Sequence, residues 1–120
     1  MSIENVVDFS TANTQAERYH LTPEKVLKSN PEHVLHNHYA SPCGQLNAGM
    51  WESEVGQWDV NFTEHEYCEI LQGVSVLRDR EGNAKTLRAG DRFVIPAGFK
   101  GTWEVLEPCR KMYVAFEQKA

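Results

Sequence analysis

Three neighbouring histidines, His33, His36 and His38, are a first group in this sequence whose types and spacing could do chemistry. Side chains alternate in direction along an extended strand, so His36 and His38 put two imidazoles on one face, as a metal site requires. Glu32 is the nearest carboxylate to join them, and a non-standard divalent metal held by His36 and His38 is the alternative this cluster leaves open. Histidines on a half-exposed strand are also ordinary surface groups. The three cysteines, Cys43, Cys68 and Cys109, form no Cys-x-x-Cys pair and are odd in number. Reduced thiols packed as small hydrophobes are expected, rather than a disulfide framework.

Elements able to position such groups follow from residue 33 onward. The chain there divides into runs at 33–39, 45–52, 57–62, 66–72, 74–79, 84–87, 92–95, 102–106 and 111–116, the spacing of an all-β sandwich or barrel. Ser41-Pro42-Cys43-Gly44, Arg80-Glu81-Gly82-Asn83, Ala89-Gly90-Asp91 and Pro96-Ala97-Gly98 supply the glycines and prolines of tight turns. No helix-length amphipathic segment follows Ser29, so the core must be built sheet against sheet. Upstream, the first twenty or so residues are polar and lack a sustained period, an arm that either lies across the domain or is mobile. Thr22-Pro23-Glu24 has the order of a helix start, and Asn30-Pro31 ends that short helix. The expected division is an arm and short helix over 1–32, packed on a barrel over 33–120.

Composition excludes several functions. The net charge is −5 and the Lys and Arg residues are scattered, leaving no basic stripe to neutralise phosphates, so nucleic acid is not an expected partner. No apolar run approaches a membrane span, and Glu4 and Asp8 interrupt the first ten residues where a signal peptide would be apolar. A cytoplasmic protein without a membrane partner is expected.

Two stretches match the paired motifs of the cupin superfamily, which are jelly-roll barrels. Glu66, residues 67–72 and Gly73 resemble the end of the first motif; Gly90, residues 91–95 and Pro96-Ala97-Gly98 resemble the second. More narrowly, the string from Gly90 to Tyr113, with Gly49-Met50-Trp51-Glu52 and Gly56-Gln57-Trp58, is similar to the ureidoglycine aminohydrolase cupin-domain (cupin 3) subgroup of the RmlC-like superfamily. The resemblance covers residue 33 to the C-terminus. It implies an all-β, double-stranded β-helix fold and identifies a fold better than an activity.

In metal-binding cupins the first motif carries two His before its Glu and the second a third His after its last Gly. Here the first two positions hold Val60 and Phe62, or Asp59 and Asn61, and the third holds Gly101. Glu66 alone survives of that ligand set, and one carboxylate does not hold a transition metal against water. No cofactor is therefore expected from the standard cupin positions.

With Glu66 facing inward as the motif implies, period two places Val60, Phe62, Glu64, Cys68 and Ile70 on the same face. From Gly101 the inward set continues through Trp103 to Val105, and a small gap is expected above Gly101. A buried Glu without metal needs a cation, a donor or a proton. Lys111 and Tyr113 share a face of the last run and are the expected partners, with Arg110 as the alternative. The expected ligand pocket is thus Phe62, Glu66, Cys68, Gly101, Trp103, Lys111 and Tyr113, with Glu66 the candidate catalytic residue. Its expected use is metal-free binding of a small polar metabolite. The alternative is an enzyme acting on a small nitrogenous or carboxylate metabolite, by acid-base chemistry at Glu66 or with a non-standard metal site. Outward Tyr67 and Leu71 suggest a sheet face buried in a homodimer.

Overall fold

The structure is a computed structural model and describes residues 1–119. Nine strands form one curled sheet: β1 (Glu17–Tyr19), β2 (Val26–Lys28), β3 (His33–Ala40), β4 (Leu46–Ser53), β5 (Gly56–Asn61), β6 (His65–Asp79), β7 (Ala84–Arg88), β8 (Arg92–Ile95) and β9 (Lys100–Phe116). The neighbour order is β1-β3-β4-β9-β5-β2, with β6 pairing β7, β8 and β9. Every pairing is antiparallel. The fold is all-β, as the turn spacing and the motifs imply.

Two expected pairs of strands are each one long strand. Runs 66–72 and 74–79 join as β6, and 102–106 and 111–116 join as β9. Gly73 and Pro108 read as breaks in sequence, yet they lie opposite each other where the β6–β9 register shifts. Gly73 has φ +90°, and a Cβ there would run into the Pro108 carbonyl, so only glycine fits the bend. The bulge also changes which residues face inward. Cys68 and Ile70 are buried before it, and Ser75 after it.

The short helix expected from Thr22 is a correction: a single 3-10 turn, Pro23–Lys25, follows it, and the chain then enters β2. Three residues cannot offset the cost of helix nucleation when β5 offers a ladder to pair with. The upstream segment also contributes β1, whose Tyr19 pairs with His33. The arm before β1 lies on the outer face of β3, with the Phe9 ring 4.9 Å from that of His38.

The core is built from alternate residues of β6 and β9, among them Ile70, Trp103, Val105 and Cys109, with Leu87 from β7 and Ile95 from β8. Trp103 Nε1 donates to Ser75 Oγ at 3.1 Å, so this buried indole is satisfied. On the outer face Glu104 accepts from Lys28 at 3.0 Å and Arg78 at 2.8 Å, tying β9 to β2 and β6.

Candidate functional site

Where the sheet curls, the inward faces of β1, β3, β4, β5, β6 and β9 enclose a cavity of about 440 Å³. Its walls are chiefly aromatic: Tyr19, Trp51, Trp58, Phe62 and Trp103. Strand alternation accounts for much of this, because Trp58, Val60, Phe62, Glu64 and Glu66 are every second residue of one stretch and all line it.

Lys111 forms the charged floor. Only 6% exposed, it holds its ammonium 4.8 Å from the Trp51 ring centre and 4.6 Å from that of Trp103, within cation-π range of both. Its polar contacts are long: 3.5 Å to Glu66 Oε1 and 3.7 Å to Cys68 Sγ. Burial alone favours losing the proton, but the Glu66 carboxylate, then Cys68 and Cys109, outweigh it and hold Lys111 above its ordinary value. The floor is therefore cationic, and no short hydrogen bond fixes it.

His33 stands beside this floor, buried to 2% exposure among Tyr19 (stacked, ring centres 5.1 Å apart), Trp58 (edge-on, 4.6 Å) and Trp51 (5.5 Å). Among the described residues neither ring nitrogen has a hydrogen-bond partner. Burial, with smaller effects from His20 and Lys111, pushes its pKa down to about 4, so the ring is neutral at pH 7. Tyr113 donates to Asn37 Oδ1 at 2.7 Å. Burial, then the Glu66 charge, holds that phenol well above its usual range.

The expected pocket comes together only in part. Phe62, Glu66, Trp103, Lys111 and Tyr113 line the cavity. Lys111 is the partner of Glu66, whereas Tyr113 turns to Asn37 and exposed Arg110 lies 3.9 Å from Glu52. Cys68 is a correction: it is fully buried behind Lys111 and outside the lining, and burial pushes its thiol up to about 11. Gly101 is the second correction. No gap lies above it, because a Cβ there would run into the Arg78 carbonyl, and the residue serves close pairing of β9 with β6. Tyr19, His33, Asn37, Trp51 and Trp58 are lining residues absent from the expected pocket. The alternation of Gly49, Trp51 and Ser53 as buried positions in β4 is the signal that finds Trp51, once β4 is paired with β9 so that Trp51 meets Lys111.

The histidine cluster divides between the two faces of β3. His33 lines the cavity, while His36 and His38 lie on the other face with ring centres 5.9 Å apart. There His36 Nδ1 donates to the Thr14 carbonyl at 3.3 Å, and His38 Nδ1 is 2.7 Å from Thr14 Oγ1. Glu32 is 3.0 Å from Arg18. The two imidazoles thus hold the arm rather than converge with His33. Among the described residues no three or more His, Cys, Asp or Glu are grouped as a metal ion needs. At Glu66 the donor set does not fit the metal of cupins: Val60 and Phe62 are apolar, Gly101 has no side chain, and the Lys111 ammonium supplies the positive charge.

The model of a family described as the EutQ-like cupin domain matches residues 40–113. Among solved structures, a protein of unknown function from Pseudomonas syringae pv. tomato superposes with TM-score 0.77 over 87% of this chain at 20% identity. The present chain spans 45% of that protein. The Clostridium difficile EutQ protein superposes with TM-score 0.67 at 17% identity, covering 89% of this chain and 97% of its own. A DUF861 family protein from Thermotoga maritima is 36% identical over 53% of this chain and 73% of its own, with TM-score 0.52. No curated protein sequence matches. With the motif residues Glu66, Gly73, Gly90 and Gly98 set in a curled all-β sheet, and the family match running from β3 into β9, the chain belongs to the EutQ-like cupin domain family of the cupin superfamily.

Proposed function

We propose that this protein binds a small polar metabolite in the barrel cavity without the metal ion of other cupins. One observation carries the reading: Lys111 is buried between two indoles, opens on a cavity of about 440 Å³, and has no polar contact shorter than 3.5 Å. A buried ammonium with donors to spare is a ready anchor for a polar group of a ligand, and the aromatic walls take its apolar surface. Thermal-shift screening of metabolites tests this, with Lys111→Met and Glu66→Gln as controls. Hits should lose at least ten-fold in affinity in Lys111→Met and change in affinity in Glu66→Gln, and hits indifferent to both defeat the reading. Elemental analysis of untagged protein should find well under one Mn, Fe, Ni or Zn per chain.

A second reading, an enzyme acting on a small nitrogenous or carboxylate metabolite, is favoured by one feature. Lys111 engages Oε1 of Glu66, the other carboxylate oxygen makes no hydrogen bond among the described residues, and Glu66 lines a partly open cavity where it can take a proton from a substrate. Turnover of any screened ligand that is abolished in Glu66→Gln while binding survives establishes it.

Membership of the ureidoglycine aminohydrolase subgroup belongs to the same proposal, on the string from Gly90 to Tyr113, and carries no activity with it. A cytoplasmic homodimer completes the reading. Leu71 is 43% exposed and Val94 59% exposed, beside Tyr67, an apolar strip suited to a second copy. None of the described helices is long and apolar enough to cross a membrane.

A further inference from the structure

The charges of the cavity are arranged in depth. Lys111 lies at the bottom, 6% exposed and 3.5 Å from Glu66 Oε1, whereas Glu64 is half-buried and Glu17 exposed at the opening, and all four line the same space. Among the described residues neither Glu64 nor Glu17 has a basic side chain within 4.0 Å. Burial, together with the Glu117 and Glu66 charges, makes the Glu64 carboxylate harder to ionise than usual, which marks it as crowded and unmatched. His33 lines the same cavity, and among the described residues its two buried ring nitrogens have no partner. The cavity therefore has at its base a cation held on one side by a long contact to Glu66 with donors to spare, cation-seeking carboxylates at its mouth, an unsatisfied neutral imidazole, and aromatic surface between.

Resting on the cavity reading above, we propose that the ligand is a zwitterion, an amino acid or amino-acid-like compound. Its carboxylate sits on Lys111, its ammonium faces Glu64 at the rim, and its apolar body lies against Trp51, Trp58 and Tyr19. A simple anion satisfies Lys111 but leaves the rim carboxylates repelling it. A simple amine satisfies the rim and the π-faces but leaves the Lys111 donors unmatched. Only a ligand with both charges matches both ends, and each mismatch is a source of discrimination.

Two triads of probes test this, each with one apolar body and three charge states: phenylalanine, phenylethylamine and 3-phenylpropionate; and 4-aminobutyrate, butylamine and butyrate. Titration calorimetry on the full chain at pH 7 should show, in at least one triad, the zwitterion binding ten-fold or more tighter than both single-charge analogues. Glu64→Gln, a substitution at the half-buried rim, should then cut the advantage over the acid-only analogue about ten-fold and leave the advantage over the amine-only analogue in place. An amine or an acid that binds as tightly as its zwitterion in both triads, an advantage unchanged in Glu64→Gln, or no binding in either triad overturns the proposal. The two readings fail separately. A screened metabolite of other chemistry that depends on Lys111 and Glu66 sinks the zwitterion alone, and absence of any Lys111-dependent ligand sinks both.

Discussion

The barrel interior has two parts built by the same alternation and furnished in opposite ways. Around Ile70, Leu87, Val105 and Cys109 it is filled, with exposures of 2% or less, and Trp103, the indole shared by the two parts, is hydrogen-bonded to Ser75 on this side. Around Tyr19, Trp58 and Phe62 it is open, and there the chain places a buried ammonium on long contacts and an imidazole with no partner at all. A protein selected for stability alone has no use for an unsatisfied polar group, each of which costs about 1–3 kcal/mol. Local rules broken in one region and kept in its neighbour mark the region where function resides.

The largest effect that can sharpen this contrast is at the floor of the open part. Lys111→Met leaves half-buried Glu66 without a cation and should cost up to about 3–5 kcal/mol in denaturant unfolding, whereas Lys111→Met combined with Glu66→Leu should recover most of that loss. A double variant no more stable than the single one would mean that Lys111 acts through packing on the indoles rather than through the pair. Next comes the filled part. Leu87→Ala, at a site with 0% exposure, should cost about 3 kcal/mol through the cavity it leaves. Half-buried Phe62→Ala should cost only about 1 kcal/mol, because it enlarges a space that already exists. Equal losses at the two sites would erase the distinction between filled and open.

The third effect is pH-dependent. His33 is held to about 4 in the fold against an ordinary 6.5, so the unfolded chain binds its proton more readily than the folded one. Stability from this residue is complete above about pH 6.5 and falls as pH drops towards about 4, by up to roughly 3 kcal/mol. The charges acting on the ring are His20 and Lys111, which lower its pKa, and Glu54, which raises it. His33→Phe should remove this slope while leaving the acid loss due to carboxylates. An unchanged slope in urea melts between pH 7 and pH 4 would show that His33 has a partner after all.

Local signals made the fold legible. The turn glycines, and the paired motifs around Glu66 and Gly98, needed only neighbouring residues to be read. Half of the site was legible for the same reason, since period two from Glu66 reaches Phe62, and the last strand offered Lys111. What was not legible depends on pairing between distant segments. Trp51 enters the cavity because β4 lies beside β9, and His33 is enclosed because Tyr19 of β1 pairs with it. Gly73 and Pro108 misled for a related reason. Each breaks a strand when read alone, but facing each other they let two strands bend without ending.

The long strand β9 has a further consequence, for the order in which the molecule is made. It pairs with β4, β5 and β6 at once, so the groups β1-β3-β4, β2-β5 and β6-β7-β8 have nothing to join them until synthesis has passed Phe116. Until then the emerging chain carries the β9-facing edges of β4, β5 and β6 unpaired, and Trp51 and Trp58 without their β9 neighbours Lys111 and Trp103. Few of its stabilising contacts are local, which makes folding slow and leaves the nascent chain exposed to aggregation until the final strand docks.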